Sequence, residues 1–166
     1  MKRLVPLFAL TLVLPGCGLH PLYAGGSSGV VATTLSRVEV SQIDGKAGWL
    51  MSNALRDRVA ANGAKPLYRL EVKLDDKIIA LGIRADDSVT RERRTLRARF
   101  QLISLADGTV LLDATAGSDA GIDVVSSEYA TIAAENTALE NLTDTVADQI
   151  VSRVGLYAQR AHTSKP

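Results

Sequence analysis

The sequence predicts an α+β two-layer sandwich: a four-stranded, mostly antiparallel sheet covered by two helices, in the order strand-helix-strand-strand-strand-helix. Three observations predict it. Residues 67–81 and 89–105 alternate apolar and polar side chains with the period of two that belongs to strands. Residues 128–160 instead repeat apolar positions at steps of three, four and seven, the spacing of one helix face. The central run of strands, broken by short turn signals, favours antiparallel neighbours, and its apolar face needs helices to cover it.

The elements follow in order. From Leu35 to Ile43, Val38 and Val40 alternate with Arg37, Glu39 and Ser41, which predicts a first strand. Asp44-Gly45 breaks it. From Trp49 to Ala61, Met51, Leu55 and Val59 recur every four residues beside Ala54, which predicts a helix; Asn62-Gly63 and Pro66 stop it. In the second strand Tyr68, Leu70, Val72 and Leu74 share one face, with Arg69, Glu71, Lys73 and Asp75 on the other. Gly82 to Ser88 reads as a polar loop. Leu96, Ala98, Phe100 and Leu102 then mark the apolar face of a third strand. Ala106-Asp107-Gly108 signals a hairpin, and Thr109 to Ala116 a fourth strand. Gly117 to Asp123 reads as a small-residue linker, after which Ser126 or Ser127 can cap the long helix. Its stripe runs Tyr129, Ile132, Leu139, Leu142, Val146, Ile150, Val154, Tyr157. A coiled coil is the rival for that helix, but a sheet in need of a cover is the simpler account.

The N-terminus carries separate information. Lys2 and Arg3, then an apolar run from Leu4 to Leu14, have the build of a removable signal peptide. The run is shorter than the roughly 20 apolar residues a permanent span needs. Leu14-Pro15-Gly16-Cys17 follows at once and matches a lipobox, in which the thiol accepts a diacylglycerol before cleavage. Cleavage by the ordinary signal peptidase beside an incidental cysteine is the alternative. Cys17 is the only cysteine in the chain, so no disulfide within the chain accounts for it, and lipidation does. Two or more acyl chains anchor stably where one is marginal. Gly18, where an Asp would signal inner-membrane retention, favours the outer membrane. The expected organisation is a signal peptide over 1–16, a lipidated N-terminus and flexible tether over 17–34, a single α+β domain over 35–160, and a frayed tail over 161–166.

Composition narrows the function. Without residues 1–16 the chain loses Lys2 and Arg3, leaving 17 basic against 18 acidic side chains, a net −1 with His neutral. That balance opposes general nucleic-acid binding, which draws on a basic domain. Low aromatic content removes a stacking surface for bases or sugars. The two histidines, His20 and His162, lie near the ends, and no spacing sets a nucleophile beside its base, so no catalytic residues are expected. Asp75-Asp76 and Asp86-Asp87 read as ordinary polar pairs at strand ends rather than as an acid–base or metal site. No Cys/His spacing suits a metal, and no cofactor is expected.

The unusual segment is Thr90 to Phe100. With period two, Arg91, Arg93, Arg97 and Arg99 share one face over about 26 Å at the usual strand rise. Guanidinium forks bind phosphate bidentately, so the row suits a polyanion. The competing reading is a solvated face with cross-strand ion pairs. If the second and third strands pair about their loop, Glu71 falls near Arg99, Asp75 near Thr95, and Lys73 opposes Arg97, a like-charge contact; the acids of the second strand then leave the row unneutralised. Trp49 could anchor a partner. A lone Trp on an amphipathic helix belongs more often to the core, and Trp49, Tyr129 and Tyr157 are all expected there.

Cys17-Gly18-Leu19-His20-Pro21-Leu22-Tyr23 resembles the mature N-terminus of one branch of the LPS-assembly lipoprotein LptE family, and the element order and length are compatible across the chain. The resemblance implies a non-enzymatic lipoprotein on the periplasmic face of the outer membrane. Such proteins plug an LptD-type β-barrel, help it assemble, and bind lipopolysaccharide on its way to the cell surface. Cys17 carries over as the lipidated residue. Arg91, Arg93, Arg97 and Arg99 rest on charge alone, and the phosphates of lipid A and the inner core would be their ligand. A polar barrel lumen would also suit long strands with one polar face. The runner-up is a periplasmic accessory lipoprotein of an ABC-type lipid transporter. A lipid-anchored hydrolase is a third class, opposed by the positions of the histidines.

Overall fold

Alternation along two long strands builds the hairpin on which the rest is laid. The computed structural model describes residues 26–59, 63–83 and 89–163. Among them, a short 3-10 turn (Gly26–Ser28) leads into α1 (Val30–Leu35), β1 (Val38–Val40), α2 (Gly45–Val59), β2 (Tyr68–Ile83), β3 (Val89–Ser104), β4 (Val110–Asp123) and α3 (Glu128–Thr163). The fold is the expected α+β, with strand order β1-β2-β3-β4. The signal peptide, Cys17, Asn62, Asp86-Asp87 and residues 164–166 lie outside the described residues.

The sheet is mixed. β2–β3 and β3–β4 are antiparallel, whereas β1 runs parallel to β2, with Val38 opposite Tyr68 and Val40 opposite Leu70. A parallel neighbour needs a crossover, and α2 supplies it. The first strand is shorter than expected: Leu35, its expected first residue, ends α1, whose other residues were expected in the tether, and Val31 and Leu35 are buried in the core. The fourth strand is longer than expected. Gly117 to Asp123, read as a linker, continues β4 against Gly117↔Arg97 through Asp123↔Arg91. Small residues there hid a strand whose alternation is carried by Asp119, Gly121 and Asp123 against Ser118, Ala120 and Ile122.

The core lies between sheet and helices. Leu70 and Val72 of β2, Leu96, Ala98, Phe100 and Leu102 of β3, and Ala116 of β4 meet Met51 and Leu55 of α2 and Leu139, Leu142, Val146, Ile150 and Val154 of α3. Ser127 precedes helix α3 and caps it, its hydroxyl accepting the Ala130 N–H at 3.4 Å. The upper end of its stripe departs from expectation. Tyr129 and Ile132 are exposed, whereas Thr131 between them is buried. Trp49 is also exposed, at 64%. It lies off the Met51–Leu55–Val59 stripe by which α2 meets the core, so the core position expected for it is not found. Tyr157 does pack against the core.

Polar contacts tie the helices down. Arg58 of α2 donates to Asp148 at 2.6 Å and Asp144 at 3.1 Å on α3. Gln149 of α3 reaches the outer edge of β4, accepting the Gly117 N–H at 3.1 Å and donating to its carbonyl at 3.3 Å. No helix among the described residues is long and apolar enough to cross a membrane.

Phe100 is fully buried at the centre of this core. Phe100→Ala is expected to cost about 3–5 kcal/mol, the range for deleting a buried aromatic ring, read as a lowered midpoint in urea unfolding followed by circular dichroism.

Candidate functional site

The parity of β3 places the candidate site. Leu96, Ala98, Phe100 and Leu102 face the helices, so Arg91, Arg93, Thr95, Arg97, Arg99 and Gln101 all emerge on the opposite, open face. The four arginines expected as one row do form one, and all four are exposed. Arg94 belongs to the helix side. Its guanidinium grips both carboxylate oxygens of Asp76 at 2.9 and 2.6 Å and donates to the Glu135 carbonyl of α3 at 2.8 Å. The hydrogen bonds it donates to Asp76 raise its pKa further. It pins α3 to the sheet.

The neighbours of the row differ from expectation. Glu71 opposes Gln101, Lys73 opposes Arg99, and Asp75 opposes Arg97. The hairpin closes one residue later than expected because β2 runs on to Ile83, which moves every partner by two. Lys73 therefore still meets an arginine, though a different one.

The larger correction concerns neutralisation, which comes from β4. Arg99 donates from Nε at 3.1 Å and Nη2 at 2.8 Å to the two oxygens of Asp113, which also accepts from Gln101 at 2.8 Å. Arg97 donates from Nη2 to both oxygens of Asp119, at 3.3 and 3.1 Å, and from Nη1 to the Ser118 carbonyl at 3.2 Å. Thr95 donates to the same Asp119 at 2.6 Å. Arg91 donates to Asp123 at 3.1 Å. Arg93 is the exception. It stands between Ile79 of β2 and Gly121 of β4, and among the described residues it makes no carboxylate hydrogen bond, although its charge reaches Asp119.

These pairs perturb the acids. Hydrogen bonds from Arg99 and then Gln101 lower the Asp113 pKa to about 2, and those from Thr95 and Arg97 lower that of Asp119. The pairs are solvent-exposed, where each contributes little to stability. Their effect is to orient three of the four guanidiniums and to hold them against β4. Gly117 makes this possible for Arg97: a Cβ there would lie 2.5 Å from the Arg97 Cδ and 2.7 Å from its Nη1. The arginine chain lies flat over the glycine.

Sequence reasoning found the arginines and missed Asp113, Asp119 and Asp123. Their signal was present, since the three share one parity on β4 opposite Leu112, Ala114 and Ala116. The glycines around Asp119 masked it. Elsewhere, a cleft of about 440 Å³ opens where the chain leaves β1, lined by Ser41–Asp44 and Glu71–Leu74. It holds no paired nucleophile and base. Among the described residues no group of three or more His, Cys, Asp or Glu could hold a metal.

Two outcomes follow. The Asp113 carboxyl carbon should titrate by NMR with a midpoint near 2, so whatever its pairing contributes is present above the ordinary carboxylate range and is lost as pH falls through that midpoint. Gly117→Ala should push Arg97 off Asp119 and raise the Asp119 midpoint toward an ordinary aspartate value, while the Asp113 midpoint stays in place.

Comparisons with known proteins agree with this architecture. A protein from Caulobacter crescentus CB15 described as a lipoprotein superposes with a TM-score of 0.67 at 23% identity, over 81% of this chain and 98% of that one. The rare lipoprotein B of Shewanella oneidensis gives 0.61 at 10% identity, over 75% and 96%. A minor lipoprotein of Acinetobacter baumannii gives 0.55 at 16%, over 72% and 88%. At these identities the likeness is one of fold. No curated protein sequence matches the chain. The family model described as lipopolysaccharide-assembly, LptE, matches residues 35–154, from the end of α1 to the last turns of α3, and the chain belongs to that family.

Proposed function

We propose that this protein is an outer-membrane lipoprotein, lipidated on Cys17, that acts without catalysis as the plug and assembly partner of an LptD-type β-barrel in lipopolysaccharide transport, and that it binds lipopolysaccharide through the open face of its sheet. The observation that carries the reading is the family match across nearly the whole folded domain. The open face supports it physically. A barrel lumen is polar, and this face offers alternating charges along β2, four arginines along β3 and three aspartates along β4.

Lipid A phosphates would meet a face already in internal balance. Arg91, Arg97 and Arg99 each exchange an aspartate for a phosphate, trading one charge-assisted hydrogen bond for another. Arg93 has no such carboxylate to release among the described residues. The face therefore binds by exchange at three positions and by direct capture at one. A densely phosphorylated ligand gains most from this, because it replaces several carboxylates at once.

Purification of a C-terminally tagged form from gently solubilised membranes should yield a large β-barrel in near-stoichiometric amount. Recovery of an inner-membrane permease with no barrel would instead support an accessory subunit of an ABC-type lipid transporter. For the ligand, changing Arg91, Arg93, Arg97 and Arg99 together to Gln should weaken binding to purified lipopolysaccharide by about tenfold or more, on the scale of 1.4 kcal/mol per decade, with the circular dichroism spectrum unchanged. Arg93→Gln alone should weaken binding more than Arg99→Gln alone. Unaltered binding by the fourfold variant would remove the open face from the ligand site.

A further inference from the structure

The two edges of the sheet are finished differently. On β4, Gln149 closes on the N–H and carbonyl of Gly117. β2 is covered only at its start, where β1 pairs with Tyr68 to Leu70 and the Ser41 N–H donates to the Leu70 carbonyl at 3.0 Å. The chain then turns away into α2, while β2 runs on to Ile83. The cleft between Ser41–Asp44 and Glu71–Leu74 opens at this parting.

Parity identifies the backbone groups left at the β2 edge. The Leu67 carbonyl accepts from Leu105 on the β3 side, and the Leu70 carbonyl accepts from Ser41 on the β1 side. With a period of two, the N–H and carbonyl groups of Val72, Leu74, Asp76, Ile78 and Ala80 therefore point outward from the sheet. Among the described residues nothing bonds to them. They repeat about every 7 Å over a length of about 27 Å.

Charged side chains on an edge usually keep other strands away. Here they are mostly neutralised within the chain. Lys77 donates to Asp75 at 2.8 Å, and Asp76 is held by Arg94. Of these edge charges Lys73 alone has no ion pair among the described residues. Ile78, at 40% exposed, and Ala80 add apolar surface on the helix side.

We propose that the β2 edge from Val72 to Ala80 receives an extended loop of the partner barrel as an added strand. The inference rests on the barrel reading above. A row of donors and acceptors at strand spacing is met by another extended backbone, which main-chain hydrogen bonds then hold. The wall strands of a closed barrel are already paired on both sides, so the occupant is a loop that enters the lumen. Lys73, Asp75 and Lys77 lie on the charged face that the barrel reading sets against the lumen, so a barrel around that face also borders this edge. The loop would place apolar side chains beside Leu74 and Ile78 and an acidic one beside Lys73.

Proline tests the edge and spares the ladder: at residues 78 and 80 the lost N–H faces outward, so the β2–β3 bonds remain. A C-terminally tagged full-length chain carrying Ile78→Pro and Ala80→Pro should keep its circular dichroism spectrum. From gently solubilised membranes it should recover about tenfold less barrel than Ile78→Ala, which retains both N–H groups, as the loss of two hydrogen bonds implies. In an otherwise unchanged chain, benzoylphenylalanine in place of Lys73 and, separately, of Lys77 should crosslink to one barrel loop at points about four residues apart, the separation that an added strand imposes. Equal recovery of the barrel by the folded double-proline variant would overturn the edge pairing. So would crosslinks that fall on wall strands or on a second copy of this chain, and they decide the matter alone if the proline variant does not fold. Recovery of no barrel by the unsubstituted protein would overturn the barrel reading and the edge pairing together, whereas a barrel held equally with and without the prolines overturns the pairing alone.

Discussion

Burial of the Leu96–Leu102 row beneath α3 decides where every other side chain of the sheet must lie. Once Leu96, Ala98, Phe100 and Leu102 are committed to the core, the period of two commits the arginines between them to the other face. A one-residue slip would bury guanidiniums and expose leucines, at a cost of many kcal/mol. The polar face is therefore held in place by the apolar one, and its charges can be exchanged without endangering the fold.

That separation explains the two kinds of arginine on β3. Arg94 shares the core side, is largely screened from water by α3, and has its guanidinium satisfied by Asp76 and the Glu135 carbonyl. It is a structural bolt. Arg91, Arg97 and Arg99 hold their aspartates in water, where the pairs are weak enough to be replaced. A residue count along Thr90–Phe100 gives five arginines of one type. The pleat divides them into a fixed one and four exposed on the open face.

Much of this was legible from the residues. β2, β3, α2 and α3 showed their periods directly, and the row Arg91, Arg93, Arg97 and Arg99 followed from parity. What was not legible depended on partners distant in sequence. The glycine-rich half of β4 has weak strand propensity of its own and is a strand because Arg91–Arg99 lie beside it. The neutralising role of Asp113, Asp119 and Asp123 was hidden with it. Trp49 and Tyr129 misled for the opposite reason: large apolar side chains are usually covered, and here both stand exposed beside buried neighbours on their helices. Most of the short α1 lay in a stretch whose glycines and serines read as tether, and its last residue, Leu35, was read into the first strand.

The contact between Gln149 and Gly117 has a consequence for the order of assembly. β4 is an edge strand, and its outward peptide groups at Gly117 are occupied by a side-chain amide that imitates a neighbouring strand. That amide lies near the end of the chain. Until residue 149 has been synthesised and α3 has docked, the edge offers its donor and acceptor to any extended peptide nearby. β4 is thus most open to mispairing while α3 is still to be made, and the closing of one amide on one glycine marks the end of that interval.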